Sequence, residues 1–230
     1  MAGRYLSFGV ALSAFGAVVA SVSYFALFSV PFTALGVACA ILGLAAVNLP
    51  EQSVPKRAVR ALLQGATLSI EALLEEFNAD GKGVYLPPKD GLVLAYVPLG
   101  PETPSPEAVG RAPRRVVTEA DGVPVLLVFP PAAEVVRASE PAGLEESLQR
   151  LLCEVTELCS SVKSVESDGA VVVEMKGVKV GTEAVRYRRA LGSIPAGVAA
   201  CVIAAQKGRG VAVASETEDG GATVATFRLV

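Results

Sequence analysis

The most prominent pattern in this chain is a long apolar stretch near its start. No Asp, Glu, Lys or Arg occurs in residues 5–50, and Ser29-Val30-Pro31 divides the stretch into two runs. As helices at 1.5 Å per residue, residues 5–28 would be about 36 Å long and residues 32–49 about 27 Å. Each length is close to the thickness of a bilayer's hydrocarbon core. Because Pro31 cannot continue a helix from the first run, the pattern predicts a transmembrane helical hairpin.

Basic residues flank this hairpin on one side of the membrane. Arg4 precedes the first run, Lys56, Arg57 and Arg60 follow the second, and the connecting turn has no charge. Lys and Arg next to transmembrane helices favour the cytoplasmic side. We therefore expect a multi-pass protein of the cell membrane with both termini in the cytoplasm. A cleaved secretory signal is the competing interpretation, but the first run is longer than the usual apolar region of about 7 to 15 residues.

Small residues recur at four-residue intervals in both apolar runs. They are Gly9, Ser13, Ala17 and Ser21 in the first run and Gly36 and Ala40 in the second. Such rows allow close approach of helix backbones in lipid. They predict that the two helices pack on each other, with contact to another subunit as the alternative. Neither run holds an ionisable residue of the kind that marks most ion pathways, so transport through the hairpin alone is not expected.

Three helices are predicted after the membrane segment. Apolar residues at three- and four-residue spacing mark the first two helices. They are Val59, Leu63, Ala66, Ile70, Leu73 and Phe77 in one, and Leu144, Leu148, Leu151, Val155, Leu158 and Val162 in the other. The first would pack on a sheet or mediate self-association, and the second would begin near Ser139. The third runs from Ser193 to Lys207-Gly208 and is apolar on every side, which predicts a buried helix.

Four Asp-Gly pairs between β-branched runs predict β-hairpins, at residues 90–91, 121–122, 168–169 and 219–220. The predicted sheet is mostly a meander of antiparallel strands. Helix and hairpin then alternate in three units, at about 55–99, 139–180 and 193–229. The fold class is therefore α+β, with a transmembrane hairpin at 1–50 and a cytoplasmic domain at 51–230. Two proline-rich segments, 98–113 and 130–141, are predicted as loops, the first either mobile in solvent or partner-binding.

The composition of the chain excludes several classes of functional site but does not identify one. The net charge is −3, which gives no indication of nucleic-acid binding. The chain has no histidine, which excludes catalytic triads and histidine-bearing metal sites. We expect no catalytic residue, metal or cofactor. The scarcity of Asn and Gln is typical of thermophilic proteins.

The four cysteines are expected to be buried free thiols. They are Cys39, Cys153, Cys159 and Cys201. A six-residue spacing places Cys153 and Cys159 on different faces of a helix and forms no C-x-x-C pair.

One polar cluster is the candidate binding site. Arg186, Arg188 and Arg189 precede Gly192 and Ser193, where the buried helix is predicted to begin. The free N–H groups and the dipole of a helix N-terminus attract anions, and arginine can pair with phosphate or carboxylate. The plainer interpretation is a solvated basic edge beside an ordinary capped turn. A second cluster, at Arg111, Arg114 and Arg115, would contact anionic lipid headgroups.

Some motifs resemble known families. The two apolar runs are followed by three motifs, which are Tyr85-Leu86-Pro87-Pro88-Lys89-Asp90-Gly91, Ala95-Tyr96-Val97-Pro98-Leu99 and Leu191-Gly192-Ser193-Ile194-Pro195. This combination resembles an uncharacterised family of archaeal membrane-anchored proteins. Residues 191–230 are also similar to the end of the 4-vinyl reductase-like ligand-binding domain, which implies a hydrocarbon-type ligand. Neither resemblance assigns a function to a particular residue.

The leading functional expectation is a non-enzymatic membrane-anchored protein. Its cytoplasmic α+β domain would bind a partner or small ligand, or serve as a subunit of a membrane assembly. The expected partners are membrane lipid and either a second copy of the chain or another membrane protein. The alternative is a membrane-bound enzyme that acts on an anionic or lipidic substrate, with Arg186, Arg188 and Arg189 as clamps.

Overall fold

The computed structural model describes residues 3–26, 28–48, 56–89, 91–109, 115–137, 143–167 and 169–230. The chain divides into two compact units, Met1–Ser53 and Val54–Val230. The first unit is a pair of apolar helices, and the second is a mostly antiparallel sheet with helices. The predicted α+β fold class with an N-terminal helical hairpin is confirmed.

The hairpin consists of α1 (Gly3–Phe25) and α2 (Val30–Asn48). Between them Phe28 adopts a left-handed backbone conformation, with φ at 48°. Pro31 lies in the first turn of α2, where its missing N–H removes no helical hydrogen bond. The chain therefore reverses direction just before the proline, as predicted.

Glycines form the contact between α1 and α2. A Cβ atom added to Gly16 would collide with the backbone of Ala40 and would lie 2.7 Å from the Gly36 carbonyl oxygen. The same close approach brings Gly43 against the backbone of Gly9. The predicted row at four-residue intervals is only half right. Ala17 and Ser21 are exposed, because the buried positions on α1 (9, 16 and 23) repeat every seven residues.

Three stretches of the described chain are helical, long and apolar enough to cross a membrane. Phe8–Phe25 and Val30–Val47 have mean hydropathies of 1.8 and 2.2, and 17% and 11% of their residues are buried. The third stretch, Val185–Lys207, is 83% buried. It is divided by Gly192 and packs in the core of the second unit. Most residues of α1 and α2, in contrast, are exposed.

The second unit begins with α3 (Lys56–Glu76), as the apolar spacing predicts. Leu63, Ile70 and Leu74 on this helix are buried in the core. Leu62 and Leu73 are 72% and 37% exposed, so the apolar face of α3 is wider than the part that the domain covers.

Eight strands form one sheet. They are β1 (Val84–Tyr85), β2 (Ala95–Pro98), β3 (Val117–Ala120), β4 (Val123–Val128), β5 (Ser161–Ser167), β6 (Ala170–Lys176), β7 (Val211–Asp219) and β8 (Ala222–Leu229). Their order in space is β3-β4-β2-β1-β7-β8-β6-β5. Every strand pair in the described part of the chain is antiparallel.

The sheet contains all four predicted hairpins, but it is not mostly a meander. Hairpins β1–β2 and β3–β4 join through β2 and β4, and hairpins β5–β6 and β7–β8 join through β6 and β8. The two halves meet where Val84 and Tyr85 of β1 pair with Ala212 and Val211 of β7. These contacts between hairpins are long-range, so turn patterns do not predict them.

Turn geometry explains why the Asp-Gly pairs mark hairpins. Asp121 and Gly122 have φ values of 50° and 77°, the positive values that a type I′ turn requires. In the last hairpin the turn is displaced by one residue. Asp219 still pairs with Ala222, and Gly220-Gly221 makes the turn. Asp90 and Asp168 lie outside the described residues.

Helices cover one face of the sheet. Besides α3, they are α4 (Ala133–Arg137), α5 (Leu144–Gln149) with a π-helical segment (Arg150–Val155), α6 (Val185–Leu191) and α7 (Ile194–Lys207). The predicted helix near 139–162 is shorter than expected, because it becomes a π-helix and stops at Val155, which is 44% exposed. Its predicted start at Ser139 lies outside the described residues. The spacing patterns did not predict α4 or α6.

The first proline-rich segment is solvated over only part of its described length. Residues 101–103, 105 and 107 are exposed, whereas Pro104 is buried and Val109 packs in a second apolar core. The Tyr96 hydroxyl donates to the Pro104 carbonyl oxygen at 2.6 Å, and the Ser105 N–H donates to Asp121 Oδ2 at 3.0 Å. Burial, and then the charge of Asp121, raise the pKa of Tyr96 to about 12. Residues 99–109 thus close a second small core.

Candidate functional site

A cavity of about 520 Å³ lies where α6 and α7 meet the end of the β7–β8 hairpin. The segment 177–182, which connects β6 to α6, forms one wall, and the glycine turn at 220–221 forms another. The polar side chains in its lining belong to Lys179, Thr182, Arg188, Ser193, Glu216, Glu218 and Thr223. Two cations and two carboxylates therefore face the same space.

The N-terminus of α7, which the sequence predicted at Ser193, lies beside this cavity. Ser193 is the N-cap, and its Oγ accepts from the Ala196 N–H at 3.3 Å. The Ile194 N–H donates to Thr182 Oγ1, and the Ser193 N–H donates to Glu216 Oε2, both at 3.0 Å. Protein groups thus occupy the donors expected to bind an external anion. Glu216 supplies the negative charge that the helix dipole favours.

The first N–H groups of α6, like those of α7, are bonded to a side chain from another segment. Glu71 of α3 accepts from the Arg186 N–H at 2.9 Å through Oε1 and from the Tyr187 N–H at 2.6 Å through Oε2. These donors lie in the first turn of α6 and have no partner within the helix. One carboxylate therefore fixes the position of the helix that carries all three candidate arginines.

The three arginines do not converge on one point. Arg188 lines the cavity, and its Nη2 lies 3.3 Å from Glu218 Oε1. Arg186 and Arg189 instead approach Asp80, at 3.5 and 3.8 Å, and Arg186 also donates to Asn78 at 3.1 Å. The structure thus brings Arg188 and Ser193 together and places the other two arginines on a separate acidic partner. Anion binding at this site stays a prediction.

Gly192 has a conformational role at the site. Its φ of 86° allows the chain to turn between α6 and α7. A Cβ atom there would lie 3.1 Å from a methyl group of Val213. Gly192 thus lets α7 begin close to β7, next to the cavity.

A buried tyrosine pair lies against α7. The Tyr85 hydroxyl donates to the Leu191 carbonyl oxygen at 2.9 Å, and the Tyr187 hydroxyl lies beside Gly197 of α7. Gly197 makes room for both rings, because its Cβ would lie 2.9 Å from the Tyr85 hydroxyl. Burial raises the pKa of Tyr85, with a further contribution from Tyr187. Burial and the nearby Cys201 likewise raise the pKa of Tyr187.

No sequence pattern indicated this pair, since Tyr85 and Tyr187 lie far apart in the chain. The second basic cluster could be located only in part. Arg115 is exposed, while Arg111 and Arg114 lie outside the described residues. No group of three or more metal-ligating side chains is present in the described portion of the chain.

Comparison of this chain with protein-family models, with curated proteins and with solved structures gave no significant match.

Proposed function

We propose that this protein is a membrane-anchored, non-enzymatic binding protein whose α+β domain holds a small polar ligand in the cavity at Arg188 and Ser193. The observation that carries the proposal is the cavity itself. It is large enough for a ligand of several carbon atoms and joins cationic, anionic and hydroxyl groups in one place. Its volume falls within the range of about 300–1,000 Å³ that is typical of small-molecule sites.

The charges of the cavity favour a ligand with a carboxylate or phosphate group. Arg188 pairs with Glu218, whose side chain is 72% exposed, so the ion pair is weak and open to exchange. An anionic group of the ligand would take the place of Glu218 on the Arg188 guanidinium, with Lys179 as a second cation. Enzymatic action on an anionic substrate receives less support, because that alternative relied on three converging arginines, and Arg186 and Arg189 pair with Asp80.

We place the binding domain in the cytoplasm. Two N-terminal helices are apolar enough to span a membrane. Arg4 lies in the first turn of α1, and three basic residues follow α2, which favours the cytoplasm for both ends. Protease added to intact cells is expected to leave the domain uncut and to digest it after the membrane is opened. Digestion in intact cells would contradict this orientation.

Native mass spectrometry of the protein, purified gently in detergent from its own membrane, tests ligand binding. We expect a bound small molecule on the wild-type chain and on Arg189→Ala, and its loss from Arg188→Ala. The two variants remove neighbouring arginines from the same helix, so a general effect on α6 would appear in both. A wild-type protein without any bound mass, or equal loss in both variants, would contradict the proposed site.

The exposed apolar residues of α3 support a second interaction, with another copy of this chain. Leu62 and Leu73 remain uncovered by the described part of the domain. Light scattering of the detergent-solubilised protein would then show a dimer or larger assembly, and Leu62→Glu would shift it to the monomer. A wild-type monomer would contradict self-association while leaving the ligand site unaffected.

A further inference from the structure

Two cysteines outside the cavity lie against each other. The Sγ atoms of Cys153 and Cys159 are 3.4 Å apart, although the two residues do not belong to one continuous helix. Cys153 is half-buried in the π-helical segment, and Cys159 is 1% exposed just beyond it. Both are free thiols in the structure. This contact corrects the expectation that their six-residue spacing keeps them on different faces.

The end of the π-helix explains the contact. Both the N–H and the Oγ1 of Thr156 donate to the Leu151 carbonyl oxygen, at 3.1 and 2.6 Å. Glu157 then adopts a left-handed conformation, with φ at 50°. The chain turns back, and the Leu158 and Cys159 N–H groups donate to the Leu152 carbonyl oxygen. A regular helix would separate residues 153 and 159 by about 9 Å along its axis.

We propose that Cys153 and Cys159 are a redox-active dithiol that closes reversibly to an intramolecular disulfide. A disulfide bond is about 2.05 Å long, so the sulfur atoms need to approach each other by about 1.4 Å. Residues 156–158, between the end of the π-helix and Cys159, belong to no helix, so a movement of this size involves one local segment. The proposal does not depend on the ligand site.

The surroundings of the two sulfur atoms indicate which cysteine reacts first. Cys153 is the more accessible thiol and reacts first with an external oxidant. Burial and the adjacent Cys153 raise the pKa of Cys159, while Lys179 opposes this shift. Since the thiolate is the attacking species, Cys159 acts second, as the resolving thiol.

A low-molecular-weight disulfide such as glutathione disulfide is a suitable oxidant. The Cys153 thiolate attacks one of its sulfur atoms, and one glutathione thiolate leaves and takes up a proton. The Cys159 thiolate then attacks the Cys153 sulfur of the mixed disulfide, and the second glutathione leaves in the same way. The protein loses two electrons and two protons, and the oxidant gains both. In a reducing cytoplasm such a disulfide would be transient, as redox-sensing disulfides are.

Peptide mapping tests the proposal directly. Trypsin cleaves after Arg150 and Lys163, so both cysteines fall in one peptide, residues 151–163. The reduced full-length protein in detergent is treated with glutathione disulfide, denatured, alkylated with iodoacetamide and digested. We expect this peptide to carry no alkyl group and to be two hydrogen atoms lighter than the reduced peptide. Reduction with dithiothreitol should restore both thiols and therefore both alkyl groups. Cys39 and Cys201 should stay alkylated. Alkylation of both cysteines, a final glutathione adduct on Cys153, or a link to another cysteine would overturn the proposal.

Two comparisons show whether the fold promotes the reaction. A synthetic peptide of residues 151–163 provides the rate without the fold, and we expect ring closure in the native protein to be at least tenfold faster. Cys159→Ser should accumulate the glutathione adduct on Cys153, whereas Cys201→Ala should form the disulfide as the wild type does. Equal rates in protein and peptide would overturn the proposal, and this comparison needs the wild-type chain alone if Cys159→Ser does not fold.

Discussion

Replacement of Glu71 by glutamine provides the sharpest test of how this domain holds its candidate site. The Glu71 carboxylate accepts two backbone N–H groups at the start of α6, at 2.9 and 2.6 Å. Glutamine has the same shape but one acceptor oxygen and no charge. One N–H would therefore face an amide group that cannot accept it, and the interaction with the helix dipole would be lost.

The size of the effect follows from these two contacts. A hydrogen bond to a charged group contributes about 1.5–3 kcal/mol. Glu71 is half-buried, and one contact survives in the variant, so we expect a loss of about 2 kcal/mol in the free energy of unfolding. For a domain of this size, that corresponds to a fall of roughly 4–8 °C in Tm.

Thermal unfolding of the detergent-solubilised protein, followed by circular dichroism, measures this loss. Glu75→Gln is the matched control, because Glu75 lies one turn further along α3 with its side chain exposed. Its Tm should stay within about 1 °C of the wild type, as expected for surface substitutions. If both variants melt at the same temperature, Glu71 does not hold α6 in the way described.

Three further predictions concern other parts of the chain. Gly16→Val should separate α1 from α2 at a lower detergent concentration than in the wild type, as measured by fluorescence energy transfer between dyes at the outer ends of the two helices. Ala17→Val should not have this effect, since residue 17 faces outward. The pKa of Tyr85 is raised in the folded state, so its contribution to stability is complete below pH about 10 and is lost as pH rises further; Tm should fall in alkali, less steeply in Tyr85→Phe. Tyr96→Phe should speed cleavage of residues 99–109 by a glutamate-specific protease about tenfold, and an unchanged rate would refute the role of its 2.6 Å hydrogen bond.

Local signals in the sequence predicted much of the fold. The charge-free run predicted the apolar helices, and the Asp-Gly pairs predicted the hairpins, because each depends on residues that are neighbours in the chain. The ends of α7 were equally clear. Ser193 caps its start, and Gly208, with φ at 63°, ends it.

Contacts between distant parts of the chain could not be predicted in this way. Glu71 and the start of α6 are 115 residues apart, and no pattern in either segment indicates the other. The joining of β1 to β7 across the middle of the sheet is of the same kind. The closeness of Cys153 and Cys159 depends on a π-helix, whose register differs from the spacing on which helical patterns are based.

The two carboxylates at the cavity, Glu216 and Glu218, differ in how easily a ligand could replace them. Glu216 is half-buried and bonded to the Ser193 N–H, so its loss would leave a helix donor without a partner. Glu218 is exposed and holds Arg188 through one weak ion pair. Carboxylates of the same protein can therefore pair with arginines beside a helix N-terminus and with its free N–H groups. For this reason the sequence pattern alone does not establish an anion site. In this domain an incoming anion would have to compete with Glu218 for Arg188, while Glu216 keeps the end of α7 in place.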